Sequence, residues 1–334
     1  MSGVPADVLT VRALGGLPEV AEGDDLAALV VGAGVPLEDG DVLVVTSKVV
    51  SKAEGRTRRF AKEDLLASET DRVVARRGPT TVVRTRHGLV LAGAGIDTSN
   101  TPEGTAVLLP EDPDASARRL RDGLRELTGR NVAVVVSDTA GRAWRTGQTD
   151  IAVGAAGLPA QVDLAGRSDT HGNVLSVTAP AVADEVAAAA DLVKGKLAGR
   201  PVALARGLAH LVLPPGEHGP GAVALVRPEE QDMFGLGARD AVLLAVTADP
   251  GTTPRGFGAP ATADECARLL GQVTATVPEV RGDEVAVPQP PLEARALGRW
   301  EARLTVAALA LGWVPAPTDA ADADGALRFR PTLS

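Results

Sequence analysis

Residues 132–136, Val-Ala-Val-Val-Val, form an unbroken apolar run that stops at Ser137-Asp138-Thr139. A run this short, rich in β-branched side chains, predicts a buried strand rather than a helix. A strand buried in this way needs covering layers, so it places the chain among folds that sandwich a sheet. A second run, Asp41-Val42-Leu43-Val44-Val45-Thr46-Ser47, has the same character and also ends in hydroxyl side chains. Side chains at the C-terminal ends of buried strands fan out into a crevice, where binding and reacting groups are commonly placed.

Helical periodicity predicts a short helix from Asp24 to Val31, capped near Asp24. A second is expected from Arg58 to Arg76, with Leu65, Leu66, Val73 and Val74 on one side. A third begins after Pro113, with Asp114 as its cap and Leu120, Leu124 and Leu127 as its stripe, and a fourth runs from Ala181 to Leu197. VLTVRAL (8–14) and PVALARGL (201–208) read as further strands, and residues 82–100 as a pair of strands about His87-Gly88 leading into a glycine-rich loop. The sum is an α/β (mixed α+β) chain with mixed sheets and flanking helices. After about Asp240 the texture changes. TADPGTTPRGFGAPATADE (247–265) reads as a linker or long loop, followed by helices over Glu265–Leu270 and Glu293–Leu311 that flank a Pro-rich stretch. The organisation predicted is a domain over 8–240 and a short C-terminal appendage over 241–334.

Charge and composition exclude several functions. A net charge of −9 argues against nucleic acid as the main partner, because phosphate neutralisation needs a basic face. The single cysteine, Cys266, excludes an intramolecular disulfide and a cysteine zinc site. The N-terminal MSGVPADVLT has neither a basic nor an apolar signal region, and no apolar run reaches about 18 residues, so a cytoplasmic protein without a membrane span is expected. No Walker A loop, no His-Glu-x-x-His and no Gly-x-Ser-x-Gly occurs.

Four segments carry chemistry. Asp97-Thr98-Ser99-Asn100 follows Gly93 and Gly95 and offers hard oxygen ligands for magnesium or manganese; an Asx turn ahead of Pro102 is the competing reading. Asp138 ends the buried strand, and the residues after it mix guanidinium, indole and amide groups. Thr46, Ser47, Lys48 and Lys52 supply hydroxyls and point charges suited to phosphate, although such lysines are often only solvated. Lys194-Gly195-Lys196 closes the Ala-rich helix, where Lys and Gly are favoured anyway.

Taken in order, GLPEV (16–20), DGDVLVVTSKVVSKAEGR (39–56), AGAGIDTSN (92–100), LPEDPDASARRLRDGL (109–124), SDTAGRAWRTGQTDIAVGAAG (137–157) and ADEVAAAADLVKGK (183–196) resemble the coenzyme F-420:L-glutamate ligases, from about Leu14 to Leu208 with a tail to Gly237. The resemblance implies the ligase-family fold, and joining of L-glutamate to the deazaflavin F-420-0 with GTP converted to GDP, followed in some members by further γ-linked glutamate. It also implies Mg2+ or Mn2+, K+ as a helper, and a homodimer. By motif, Asp97 and Asp138 match metal ligands and Thr139 a residue near a second metal. Leu17, Pro18, Glu19, Val20, Thr46, Ser47, Lys52 and Asn100 match nucleotide contacts, as does the segment Lys194, Gly195 and Lys196. Arg142, Trp144 and Gln148 are assigned on chemical grounds to glutamate or deazaflavin binding, and Arg145 with Asp97 and Asp138 to catalysis. Some relatives carry a fused flavin-dependent nitroreductase-like domain. Residues 241–334 are too few for it, so FMN binding is not expected, and they read as its remnant or as an unrelated helical appendage. The competing functions are a ligase for another acid acceptor and a non-catalytic deazaflavin- or nucleotide-binding protein.

Overall fold

A computed structural model describes residues 8–59, 62–232, 234–248, 257, 259–316 and 325–332. In chain order the first part comprises β1 (Thr10–Leu14), α1 (Leu26–Gly32), β2 (Val42–Thr46), α2 (Ser47–Ala53), β3 (Thr57–Arg59), α3 (Lys62–Glu69), β4 (Thr70–Arg77), β5 (Thr80–Thr85), β6 (Val90–Ala92), β7 (Thr105–Val107), α4 (Pro113–Thr128), β8 (Ala133–Arg142), β9 (Arg145–Ala156), α5 (Val182–Lys194) and β10 (Val202–Arg206). The remainder comprises α6 (Ala238–Thr247), α7 (Ala263–Thr274), β11 (Glu279–Arg281), β12 (Glu284–Val287), α8 (Ala294–Ala310), β13 (Trp313–Pro315) and β14 (Leu327–Pro331). These fall into two compact units, Met1–Val226 and Arg227–Ser334.

The first unit is built on a five-stranded mixed sheet in the order β1-β10-β2-β8-β9. β2 and β8 are the parallel pair at its centre, and the other neighbours are antiparallel. Their continuous apolar sequences follow from burial on both faces. Leu43, Val45, Val134 and Val136 face one layer with Val30 of α1, Val50 of α2 and Leu120 and Leu124 of α4. Val42, Val44, Ala133 and Val135 face the other, against Ala183, Val186, Ala187 and Ala190 of α5. Alternate residues of one strand thus feed opposite layers, as the two-residue period of a strand requires. A three-stranded sheet, β4-β5-β6, and the pair β3-β7 complete this unit.

Several boundaries differ from those expected. The first helix is capped by Asp25, whose carboxylate accepts from the N–H groups of Ala27 and Ala28. Pro113 occupies the first turn of α4, which makes Asp112 the cap instead of Asp114. Asp114 is buried and accepts from the backbone N–H groups of Ala155, Ala222 and Val223. The helix expected over 58–76 is only α3; Thr70–Arg77 forms β4, where β-branched Thr70 and Val73 pair with Thr85 and Val83 of β5 and Val74 falls at a register shift. Ser47 starts α2 directly at the end of β2, with no intervening turn.

The second unit has its own core. A four-stranded antiparallel sheet, β11-β12-β14-β13, packs with α7 and α8 around Leu270, Val285, Val287, Leu304, Trp313 and Phe329. The tail is therefore an α/β unit and not the purely helical appendage that was one of its two expected readings. α6, whose start at Ala238 precedes the boundary expected at 240, belongs to this unit, and the division falls at Val226. Residues 249–256 and 258 of the expected linker lie outside the described residues. Among the described residues no helix is long and apolar enough to cross a membrane.

Candidate functional site

The parallel pairing of β2 with β8 sets Thr46, the last residue of β2, opposite Ser137, whereas β8 does not end there as expected but runs on to Arg142 in its pairing with β9. Ser47 and Asp138 follow immediately, and the Ser47 hydroxyl donates to Asp138 Oδ1 at 2.9 Å. Asp97 is brought to the same edge by an antiparallel bridge to Val107. α2 presents Lys48 and Lys52, four residues apart and therefore on one helix face, toward the same space. A cleft of about 340 Å³ results.

The expected residues Leu17, Pro18, Glu19, Val20, Thr46, Lys52, Asp97, Asn100, Asp138, Thr139, Lys194, Gly195 and Lys196 all line this cleft. Ser47 does not; it is buried behind Asp138 as its hydrogen-bond donor. Arg142, Trp144, Arg145 and Gln148 lie elsewhere, exposed at the tip of the β8–β9 hairpin. The cleft also takes in Lys48, read from the sequence as a point charge suited to phosphate, and Asp150, Asp191 and Arg200, which were not assigned a role. Asp150 stands out only once β9 is paired with β8, which sets it in register with Thr139.

Three of the carboxylates in the cleft, Asp97, Asp138 and Asp150, have unlike surroundings. Asp97 Oδ1 accepts the Ser99 N–H at 2.7 Å, an Asx turn, while Oδ2 pairs with Lys48 Nζ at 2.6 Å. Burial pushes the Asp97 pKa up, but the Lys48 and Ser99 bonds outweigh it and hold the group below the ordinary value. The Asx turn expected as the competing reading is thus formed by one oxygen, while the other pairs with a lysine. Asp150 is buried and accepts from Ser137 Oγ at 2.8 Å, Thr139 Oγ1 at 2.9 Å and Lys194 Nζ at 2.8 Å. Lys194, buried too, also donates to Ser137 Oγ at 2.8 Å. Asp138 has no cation at hand. Burial, with added repulsion from Asp150 and Asp97, pushes its pKa up to about 6, against the lowering bond from Ser47. Lys52 meanwhile bridges Glu19 and the Asn100 carbonyl, tying the 17–20 turn to the 97–100 loop.

This donor set suits a hard divalent cation. Asp97, Asp138 and the Thr139 hydroxyl are oxygen donors of the kind magnesium and manganese take, with phosphate oxygens and water completing the shell. Positive charge would also relieve the repulsion that raises Asp138. Among the described residues no group of three His, Cys, Asp or Glu side chains is placed to hold an ion by itself.

The sequence pattern of the family described as "F420-0:Gamma-glutamyl ligase" matches residues 16–65 and 59–207. A "Coenzyme F420:L-glutamate ligase" of Archaeoglobus fulgidus is 41% identical over 242 residues, covering 66% of this chain and 93% of the relative. Its namesake in Methanothermobacter thermautotrophicus is 39% identical over 246 residues, covering 66% and 96%. A third, from Halorubrum lacusprofundi, is 43% identical over 222 residues, covering 58% and 85%. The aligned length corresponds to the first unit and the cleft it carries. With the family pattern matched over more than half of its length and relatives aligned over nearly all of theirs, the chain belongs to the F-420-0:gamma-glutamyl ligase family.

Proposed function

We propose that this protein joins L-glutamate to F-420-0 through an amide bond, with GTP converted to GDP and phosphate. The observation that carries the reading is the cleft itself, where two carboxylates, Asp97 and Asp138, face a cationic rim of Lys48, Lys52, Lys196 and Arg200. Polyanionic phosphates need such a rim, and an acid–amine ligation needs phosphate to activate the carboxylate. In the reaction a carboxylate oxygen of F-420-0 attacks the γ-phosphorus, the bond to the β-phosphate oxygen breaks, and GDP leaves. The amine of glutamate then attacks the acyl carbon, a proton is lost from nitrogen, and phosphate departs.

The chain's own residues account for the positioning. Lys48, anchored by Asp97 and Ser99, and Lys52, anchored by Glu19 and the Asn100 carbonyl, are held as fixed positive charges rather than mobile ones. Leu17, Pro18 and Val20 offer apolar surface at one end of the cleft for a nucleobase. Mg2+ or Mn2+ held by Asp97 and Asp138 would supply charge to offset the phosphate negative charge in transfer. Further γ-linked additions, K+ and a homodimer belong to the same proposal.

The test is an incubation with F-420-0, L-glutamate, GTP and Mn2+, read by product mass and GDP release. A product heavier by one glutamate residue, with GDP formed only when all components are present, supports the ligase. Tight binding of F-420-0 or GTP with no turnover would make the protein a binding module. Turnover with other carboxylic acids but not F-420-0 would make it a ligase for a different acceptor.

A further inference from the structure

The first unit contains a second, larger cavity of about 620 Å³ whose lining differs in kind from that of the charged cleft. Leu66, Pro79, Ile96 and Pro102 supply apolar walls, and Thr80, Thr81, Thr98, Thr101 and Thr105 supply small hydroxyl-bearing side chains. Its one ionisable group is Glu103. Two of the threonines are satisfied within their own loop: Thr101 donates to the carbonyls of Thr98 and Thr105, and Thr105 donates to that of Pro102. Their hydroxyls are thus spent locally, and the cavity is more apolar than its composition suggests. Volume and lining are those of a site for a drug-sized, mostly apolar ligand with a few polar atoms.

The two cavities share a wall. Along residues 96–101, Asp97 and Asn100 line the charged cleft, whereas Ile96, Thr98 and Thr101 line the apolar cavity. Asp97 is bridged to Val107, and residues 99 and 100 form a turn, with the Ser99 N–H bonded to Asp97 Oδ1 and Asn100 at φ 51. This one short segment therefore contributes residues to both cavities. Lys48 fixes it from the cleft side through Asp97 and Ser99.

We propose that the apolar, threonine-lined cavity binds the fused ring system of the acceptor, whose carboxylate-bearing tail reaches past residues 96–101 to the charged cleft. The proposal rests on the ligase reading above and adds where the acceptor sits. A triphosphate and a neutral tricyclic ring demand opposite linings, and the two cavities that share this segment supply them. The arrangement also explains why the wall carries Asp97: the loop that faces the acceptor is the loop tied to the phosphate-facing lysine. The exposed hairpin tip of Arg142–Gln148 then need not contact the ring.

The test fills the cavity from β5, the wall opposite the shared segment, so that the cleft is untouched. Thr81→Trp and Thr80→Trp each place an indole in the cavity on a strand that tolerates aromatic residues. Each is expected to raise the KM for F-420-0 at least tenfold and to leave the KM for GTP and the thermal midpoint as in wild type. Titration of F-420-0 in the presence of Mn2+ without GTP, read by the deazaflavin's own fluorescence, should show the same loss of affinity. Folded variants with wild-type KM for F-420-0 in both cases overturn the proposal. Wild-type protein that neither binds nor turns over F-420-0 overturns the ligase reading instead, so the two failures are distinguishable.

Discussion

The interiors of the two units are made of different material. Every buried charged or hydroxyl side chain among the described residues lies in the first unit, including Asp41, Glu69, Asp114, Arg121, Asp150 and Lys194. The interior of the second unit is apolar, with Trp313, Phe329, Leu270 and Leu304 among its fully buried side chains. Buried charge costs stability unless it is paired, and in the first unit almost all of it is. Asp41 is bound by Arg206, Glu69 by Arg56 and Arg86, and Asp150 by Lys194, while Asp114 collects three backbone N–H groups and Arg121 several carbonyls. Asp138 is the exception. Half-buried, it lies within β8 among other carboxylates, with hydrogen bonds from Ser47 and backbone and, among the described residues, no cation paired with it. The contrast teaches where to look for chemistry: at the carboxylate whose charge the fold leaves uncompensated, not merely at a buried one.

The strongest way to break this comparison is Asp138→Asn. The substitution keeps the shape and the Ser47 bond but removes the charge. Turnover should fall about 10³-fold, since one precisely placed electrostatic group commonly carries that much. Far-UV circular dichroism should stay that of wild type. Turnover near the wild-type value would show that the uncompensated charge is incidental.

The paired carboxylate should behave in the opposite way. Lys194→Met leaves Asp150 buried without its cation and should destabilise the first unit by about 3–5 kcal/mol in urea unfolding. Adding Asp150→Asn should recover most of that loss, because the cost comes from the orphaned charge. A double variant as unstable as the single one would mean that Lys194 contributes through packing alone.

In the second unit the corresponding experiment is a cavity. Leu304 is fully buried, and Leu304→Ala should cost about 2–5 kcal/mol of that unit's stability, followed through the tryptophans Trp300 and Trp313. Ligation at moderate temperature should stay within roughly twofold of wild type, since the cleft is lined by first-unit residues alone. Turnover that declines in step with unfolding of residues 227–334 would show that the apolar unit completes the site.

Much of the cleft was legible in the sequence because its signals are local. Two apolar runs that end in Thr46-Ser47 and Ser137-Asp138 predict buried strand ends, and the family motifs carry Asp97, Asn100, Lys52 and the 194–196 segment to the same place. What was not legible depends on register and on distant partners. Asp150 acquires meaning only when β9 is seen to pair with β8 and set it opposite Thr139. Arg142, Trp144, Arg145 and Gln148 have suggestive chemistry, but hairpin geometry carries them roughly 13 Å along β8 beyond Asp138, at about 3.3 Å per residue. The sheet of the second unit was invisible for another reason: its strands are three to five residues long, with charged residues in β11, β12 and β14, too short for periodicity to register. The second helix was overextended because residues 70–77 are apolar enough for a helix stripe, and only pairing with β5 decides for a strand.

The finest test of the comparison is stability against pH. Asp138 titrates at about 6 in the folded protein and near 3.9 when unfolded. Between these values the folded state holds the extra proton, so the stability linked to Asp138 is fully present below the unfolded value and is lost as pH rises through about 6. Above that pH the carboxylate costs about 2 kcal/mol, allowing for the solvent that reaches its cleft side. Asp138→Asn removes this titration. The variant should therefore melt with wild type near pH 4 and at a higher temperature at pH 7.5, with the gap opening between. Mn2+ should close the gap at pH 7.5 by raising the wild-type midpoint while leaving the variant nearly unmoved. A variant no more stable than wild type at pH 7.5 would mean that the fold compensates Asp138 after all, and that its role in β8 owes nothing to stored charge.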